Sequence, residues 1–119
     1  MKTILLIEDN IDILENLTEY LELEGYKIFT ATNGKEGMEL AKTCTPDLII
    51  CDVLMPRISG HEVLQLLSNA KETADIPFVF STSNCEKVDR EQALKLGADD
   101  YIVKPFEVDE LLKLIMRWV

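Results

Sequence analysis

Between Pro46 and Pro56 the chain runs Leu48, Ile49, Ile50, Cys51 without a polar break and then places Asp52. A consecutive apolar run bounded by prolines reads as a strand covered on both faces, because a strand with one wet face would alternate. Such a strand needs layers on either side of its sheet. In open parallel sheets of that kind ligands gather outside the carboxyl ends of the strands, which puts Asp52 at the rim of a crevice. It is the residue expected to react. One isolated Asp ahead of Pro56 would be better read as a turn cap, so the other strand ends decide.

Glu8 and Asp9 follow Ile4, Leu5, Leu6 and Ile7, Thr82 follows Phe78, Val79 and Phe80, and Lys104 follows Tyr101, Ile102 and Val103. If these strands are parallel, three carboxylates, one hydroxyl and one ammonium project into one crevice. Random strand ends rarely supply that set.

The rest of the chain alternates strand and helix patterns. Thr3 to Ile7 is a strand, and Asn10 then caps a helix with Ile11, Leu14, Leu17 and Leu21 at helical spacing, stopped by Gly25. Lys27 to Ala31 is a mixed, edge-like strand, and Asn33 with Glu36 resembles a capping box for a helix to about Thr43. Gly37 inside that helix weakens it by roughly 0.5–1 kcal/mol relative to Ala, which predicts the least regular of the helices. After the central strand, Ser59 and Glu62 form a capping box ahead of Val63, Leu64 and Leu67. A polar loop from Asn69 to Ile76, a strand over Pro77 to Ser81, and a loosely anchored helix from Cys85 to Leu96 follow. Asp100 to Val103 is a short fifth strand, and Val108, Leu111, Leu112, Ile115 and Val119 give the last helix its apolar stripe. The expected fold is α/β: a doubly wound, five-stranded parallel sheet with five helices and right-handed crossovers. Its strand order, 2-1-3-4-5, is taken over from the flavodoxin-like arrangement. That order puts the switch point between the first and third strands, where Glu8, Asp9 and Asp52 stand.

A chain of 119 residues fits one domain spanning 1–119 and can bury roughly two thirds of its unfolded surface. A formal charge of -10, from 12 basic and 22 acidic residues, argues against direct binding of nucleic acid or an anionic membrane. Cys44, Cys51 and Cys85 have no metal-ligand spacing and read as reduced thiols, which points to the cytoplasm. No targeting signal or membrane-spanning run is expected.

Converging carboxylates repel one another unless a cation sits among them. Magnesium suits oxygen ligands, keeps several waters and commonly shares its remaining positions with phosphate oxygens. Asp52 is then placed for in-line attack on phosphorus, with Lys104 and the metal neutralising the equatorial oxygens and Thr82 donating a hydrogen bond. The product is an aspartyl phosphate.

Glu8-Asp9, Asp52 with Met55-Pro56 and Gly60, Thr82, and Gly97-Ala98-Asp99-Asp100-Tyr101 running into Lys104-Pro105-Phe106 resemble a response-regulator receiver domain of two-component signalling over essentially the whole chain. The resemblance implies that Asp52 takes a phosphoryl group from the phosphohistidine of a histidine kinase or phosphotransfer protein, in a magnesium-dependent reaction. It implies that Asp9, Asp52 and the Leu54 backbone carbonyl hold Mg2+, that Glu8 does so through water, and that Thr82 and Lys104 bind the phosphoryl group. Tyr101 would be the switch aromatic, and the Lys104–Pro105 peptide would be cis. Partner binding would change on the face made by the fourth helix, fifth strand and fifth helix. The chain would catalyse only its own phosphorylation and dephosphorylation, and would act through a downstream protein or a fused output domain absent from this sequence. Ser83 and Gly37 stand where the family often has Ala, while Leu54 and Asn84 occupy variable positions near the phosphoryl pocket.

Two other classes fit less well. Aspartate-dependent phosphatases of the haloacid dehalogenase type would want a second Asp where Leu54 stands. Flavin binding would need a hydroxyl- and glycine-rich loop where Glu8-Asp9-Asn10 would repel the flavin phosphate. A receiver-shaped module without phosphate turnover is disfavoured because every site residue is present. His61, the sole histidine, is expected to be an exposed surface residue, and Cys51 to be core. Trp118 is left open between the core and a partner surface.

Overall fold

The computed structural model describes residues 1–53, 55–82, 91, 94–95 and 97–119. Within them run strands β1 (Thr3–Ile7), β2 (Lys27–Ala31), β3 (Leu48–Asp52), β4 (Phe78–Thr82) and β5 (Asp100–Val103). Helices α1 (Ile11–Leu23), α2 (Gly34–Cys44) and α3 (Gly60–Ser68) follow β1, β2 and β3 in turn, and α4 (Val108–Trp118) follows β5. All strand pairs are parallel, in the order β2-β1-β3-β4-β5.

Every residue of β3 and β4 is buried, as the unbroken apolar run of β3 required. Side chains alternate across a strand, so each contributes to two cores. On one face Ile4, Leu6, Leu48, Ile50, Val79 and Ile102 meet Leu14 and Leu21 of α1 and Leu111, Leu114 and Ile115 of α4. On the other, Leu5, Ile7, Ile49, Cys51, Phe78 and Phe80 meet Ala41 of α2 and Val63, Leu64 and Leu67 of α3. Each fully buried Leu, Ile or Phe contributes about 1.5–3 kcal/mol relative to exposure, and this holds the strand ends at one level.

Local signals set the helix ends. Asn10, Asn33 and Ser59 each accept a hydrogen bond from the backbone N–H three residues on. Gly25, at φ 97°, closes α1 where any Cβ would be strained. The capping box expected at Asn33 is only half formed, since the Glu36 carboxylate accepts from Thr32 N–H instead. Glu107 and Glu110 form a full box at the start of α4 that hydrophobic periodicity could not show. In α4 the stripe also shifts: Leu114 is buried, while Val108 is 37% exposed. His61 is half-buried rather than exposed, with its ring edge-on to Phe80 at 5.1 Å. Thr73, in the loop after α3, is buried because its hydroxyl donates to the Leu67 carbonyl at 2.6 Å.

Four helices, not five, are present among the described residues. Most of the stretch expected as the remaining helix, Cys85 to Leu96, lies outside the described residues.

Gly37 does not break α2, which runs unbroken from Gly34 to Cys44. Its role is close approach: a Cβ there would lie 2.4 Å from Ile7 Cδ1 and 2.8 Å from Ile7 Cγ1. Gly37→Ala gains about 1 kcal/mol in helix propensity but overpacks against β1 at a cost of about 1–3 kcal/mol. We therefore expect a net loss of roughly 1 kcal/mol in urea unfolding, and a smaller loss or a gain in an Ile7→Val background, where Cδ1 is gone. A stabilising Gly37→Ala in the native background would contradict this packing account.

Candidate functional site

Four of the residues singled out from the sequence meet where β1, β3 and β5 end. Glu8 and Asp9 follow β1, Asp52 is the last residue of β3, and Lys104 follows β5. Backbone pairing extends past the strands and fixes their relative height, with Glu8 N–H donating to Ala31 O at 3.0 Å, Val53 N–H to Ser81 O at 3.2 Å and Lys104 N–H to Thr82 O at 2.6 Å. Glu8 and Asp52 are buried at 6% and 8% exposure, while Asp9 is exposed at the mouth. One oxygen from each of these three carboxylates lies within 4.8 Å of the other two, a spacing that one divalent cation with oxygen ligands can bridge.

The Lys104 ammonium donates to Glu8 Oε1 and lies 3.6 Å from Asp52 Oδ2, so a single cation faces two buried carboxylates. Glu8 Oε2 also accepts from the Asn10 N–H at 3.1 Å, which fixes the carboxylate from the loop side. Sequence spacing identified Glu8 but not this backbone anchor. Thr82 is buried at the end of β4, one strand from Asp52, whose register partner is Ser81. Tyr101 stands further back: it is half-buried, pairs with Phe80 and packs on the core beneath α2 and α3. Leu54, the expected source of a metal-binding carbonyl, lies outside the described residues, as do Ser83 and Asn84. The Lys104–Pro105 peptide is cis.

Gly60 is the local requirement behind this arrangement. A Cβ on it would lie 2.3 Å from the Asp52 carbonyl oxygen and 3.0 Å from Val53 Cα, and its N–H donates to Val53 O at 2.9 Å. The first turn of α3 thus rests directly on the backbone that carries Asp52. The sequence pattern contains Gly60, but only the three-dimensional contact shows why no side chain fits.

Burial, reinforced by the negative charge of Glu8 and opposed by Lys104, raises the Asp52 carboxyl to about 6. Asp9, though exposed, is raised by partial loss of water at the crowded rim and then by its hydrogen bond and charge interaction with Glu8. Burial would raise Glu8 as well, but its hydrogen bonds from Lys104 and Asn10 outweigh that and leave it lowered. Negative charge is thus favoured most on Glu8, where the Lys104 ammonium sits, and disfavoured at Asp52 and Asp9 relative to a free carboxyl.

The raised carboxyl gives Asp52 a signed effect on stability. Below the ordinary carboxylate range both folded and unfolded chains are protonated at this position; between about pH 4 and pH 6 the unfolded chain ionises first, so the cation-free protein loses stability as pH rises. Asp52→Asn should stabilise the cation-free protein at pH 7 by about 1–2 kcal/mol, and the gain should vanish near pH 4. Paired unfolding curves at the two pH values check it, and equal effects at both would refute the electrostatic origin.

Residues 4–116 match the response regulator receiver domain family. Response regulator SaeR of Staphylococcus aureus is 38% identical over 112 residues, covering 94% of this chain and 48% of its own length, so the chain spans about half the length of the curated relatives it matches. Among solved structures, the Vibrio cholerae chemotaxis protein CheY4 superposes with a TM-score of 0.95 at 28% identity, covering 100% of this chain and 99% of that one. The signal receiver domain of a Syntrophus aciditrophicus signal transduction histidine kinase gives a TM-score of 0.90 at 33% identity, covering 99% and 89%. With strand order, rim carboxylates and lysine arranged as described, and with nearly its full length matched, the chain belongs to the response regulator receiver domain family.

Proposed function

We propose that this chain is a phosphoacceptor, in which Asp52 takes a phosphoryl group from the phosphohistidine of a histidine kinase or phosphotransfer protein. The observation that carries this reading is the buried Asp52 carboxylate, held within 3.6 Å of the Lys104 ammonium and beside Glu8 and Asp9 at one strand-end rim. An Asp52 oxygen attacks phosphorus in line, the phosphorus–nitrogen bond breaks, and its electron pair leaves with the imidazole. Lys104 turns from Glu8 toward the incoming phosphoryl oxygens, and the Thr82 hydroxyl donates to another of them. Glu8, Asp9, Asp52 and the Leu54 carbonyl are the residues that would hold Mg2+, which when bound supplies positive charge against the phosphoryl oxygens and relieves the repulsion among the carboxylates.

Output follows from Thr82. Drawn toward a phosphoryl oxygen, its hydroxyl leaves room at the end of β4, and the Tyr101 ring on the neighbouring strand turns inward. The partner, a separate output protein or a fused output domain, would read β5, α4 and the preceding segment over 85–96. Among the described residues no helix is long and apolar enough to cross a membrane.

Incubation with Mg2+ and acetyl phosphate should add one phosphoryl mass to the chain, with the label mapped to Asp52 and abolished by Asp52→Asn. A native-level label on the Asn variant would overturn the assignment. Thr82→Ala should still accept the label at Asp52 while the partner's preference for the phosphorylated form shrinks several-fold, because a ligand shifts the balance only by its differential affinity. Titration of both forms against the partner measures that ratio.

A further inference from the structure

We propose that Asp100 is a positioning residue that ties the last turn of α4 to β5, and that its hydrogen bond with Trp118 differs between the phosphorylated and unphosphorylated chain; the second part rests on the function proposed above. The Asp100 carboxylate gathers three donors: Oδ1 accepts from the Tyr101 N–H at 2.9 Å, and Oδ2 accepts from Trp118 Nε1 at 2.9 Å and from the Arg117 guanidinium at 3.0 Å. Arg117 is 64% exposed, so its ion pair is screened and contributes little to the anchor. The indole is better shielded, because Trp118 packs half-buried on the core beneath α1 and α4. It is the stronger tether.

The position of Asp100 gives this contact its meaning. Alternation along β5 sends Asp100 and Ile102 toward α4, while Tyr101 packs on the opposite core. The Tyr101 backbone N–H and the Trp118 indole are therefore held by one carboxylate, and Tyr101 pairs with Phe80, two residues before Thr82 on β4. A rearrangement of Tyr101 on one face acts on the peptide that Asp100 holds, and through it on the end of α4 on the other face. Leu111, Leu114 and Ile115 bury the middle of α4, so the Trp118 contact sets the placement of its last turn.

The chain has one tryptophan, so its indole N–H gives a single cross-peak in a 15N–1H spectrum. The whole chain is treated with acetyl phosphate and Mg2+, and intact mass records the extent of labelling. We expect the indole peak to move beyond its linewidth on labelling. In Asp100→Ala the peak of the unlabelled chain should move from its native position, and the displacement on labelling should be lost, with the extent of labelling retained. Asp100→Asn, which keeps an acceptor oxygen but no charge, should show a reduced displacement and serves if the Ala variant does not fold. Arg117→Gln should leave both positions close to native. A labelled native chain with an unmoved indole peak, or an undiminished displacement in the Asp100 variants, overturns the proposal. Absence of the added mass overturns the phosphoacceptor reading instead, and the state dependence with it.

Discussion

A carboxylate at the end of a strand buried on both faces is costly to ionise unless a positive group is held against it. That constraint organises this molecule. Asp52 cannot move away, because β3 lies between β1 and β4 and all five of its residues are buried. The compensating charge comes from Lys104, distant in sequence, brought there by the β4–β5 pairing and by the hydrogen bond from its own N–H to Thr82 O. Glu8 engages the ammonium most directly, so at Asp52 burial and the neighbouring Glu8 charge outweigh Lys104 and raise its carboxyl to about 6. Glu8, Asp9 and Asp52 together place three carboxylates at a rim where Lys104 engages only two of them.

Holding the site requires backbone elements to approach more closely than side chains allow. Gly60 lets α3 start against the Asp52 carbonyl, and Gly37 lets α2 lie on Ile7 at the end of β1, directly before Glu8. Both glycines stand in helices, where their weak propensity alone would count against them. Packing outweighs propensity because a displaced helix would carry the neighbouring strand end with it. The same reasoning separates β5 into two roles, with Asp100 directed to α4 and Tyr101 to the other core, so one short strand links two faces of the protein.

Much of this architecture was legible in the residues themselves. Four consecutive apolar residues before Asp52 require a strand covered on both sides, strand-helix alternation requires parallel pairing, and parallel pairing brings Glu8, Asp9, Asp52, Thr82 and Lys104 to the same edge. Asn10, Asn33, Ser59 and Gly25 mark helix ends through hydrogen bonds and backbone conformations that are local in origin. Residue type and order were enough for these because the physical requirement acts within a few residues or along a repeating period.

Other features belong to tertiary structure alone. Which carboxylate holds the Lys104 ammonium, and hence why Glu8 is lowered while Asp52 is raised, depends on distances between the ends of different strands. The half-burial of His61 against Phe80, the buried Thr73 hydroxyl on the Leu67 carbonyl, and the indole of Trp118 on Asp100 were not readable, because each joins residues with no shared periodicity. The sequence by itself determined the layers, the direction of the strands and the set of groups at their ends, since burial periodicity and capping chemistry are local. Only the packed structure decided which charges compensate one another and where the glycines serve as contacts, since both depend on the separation of elements that the chain brings together last.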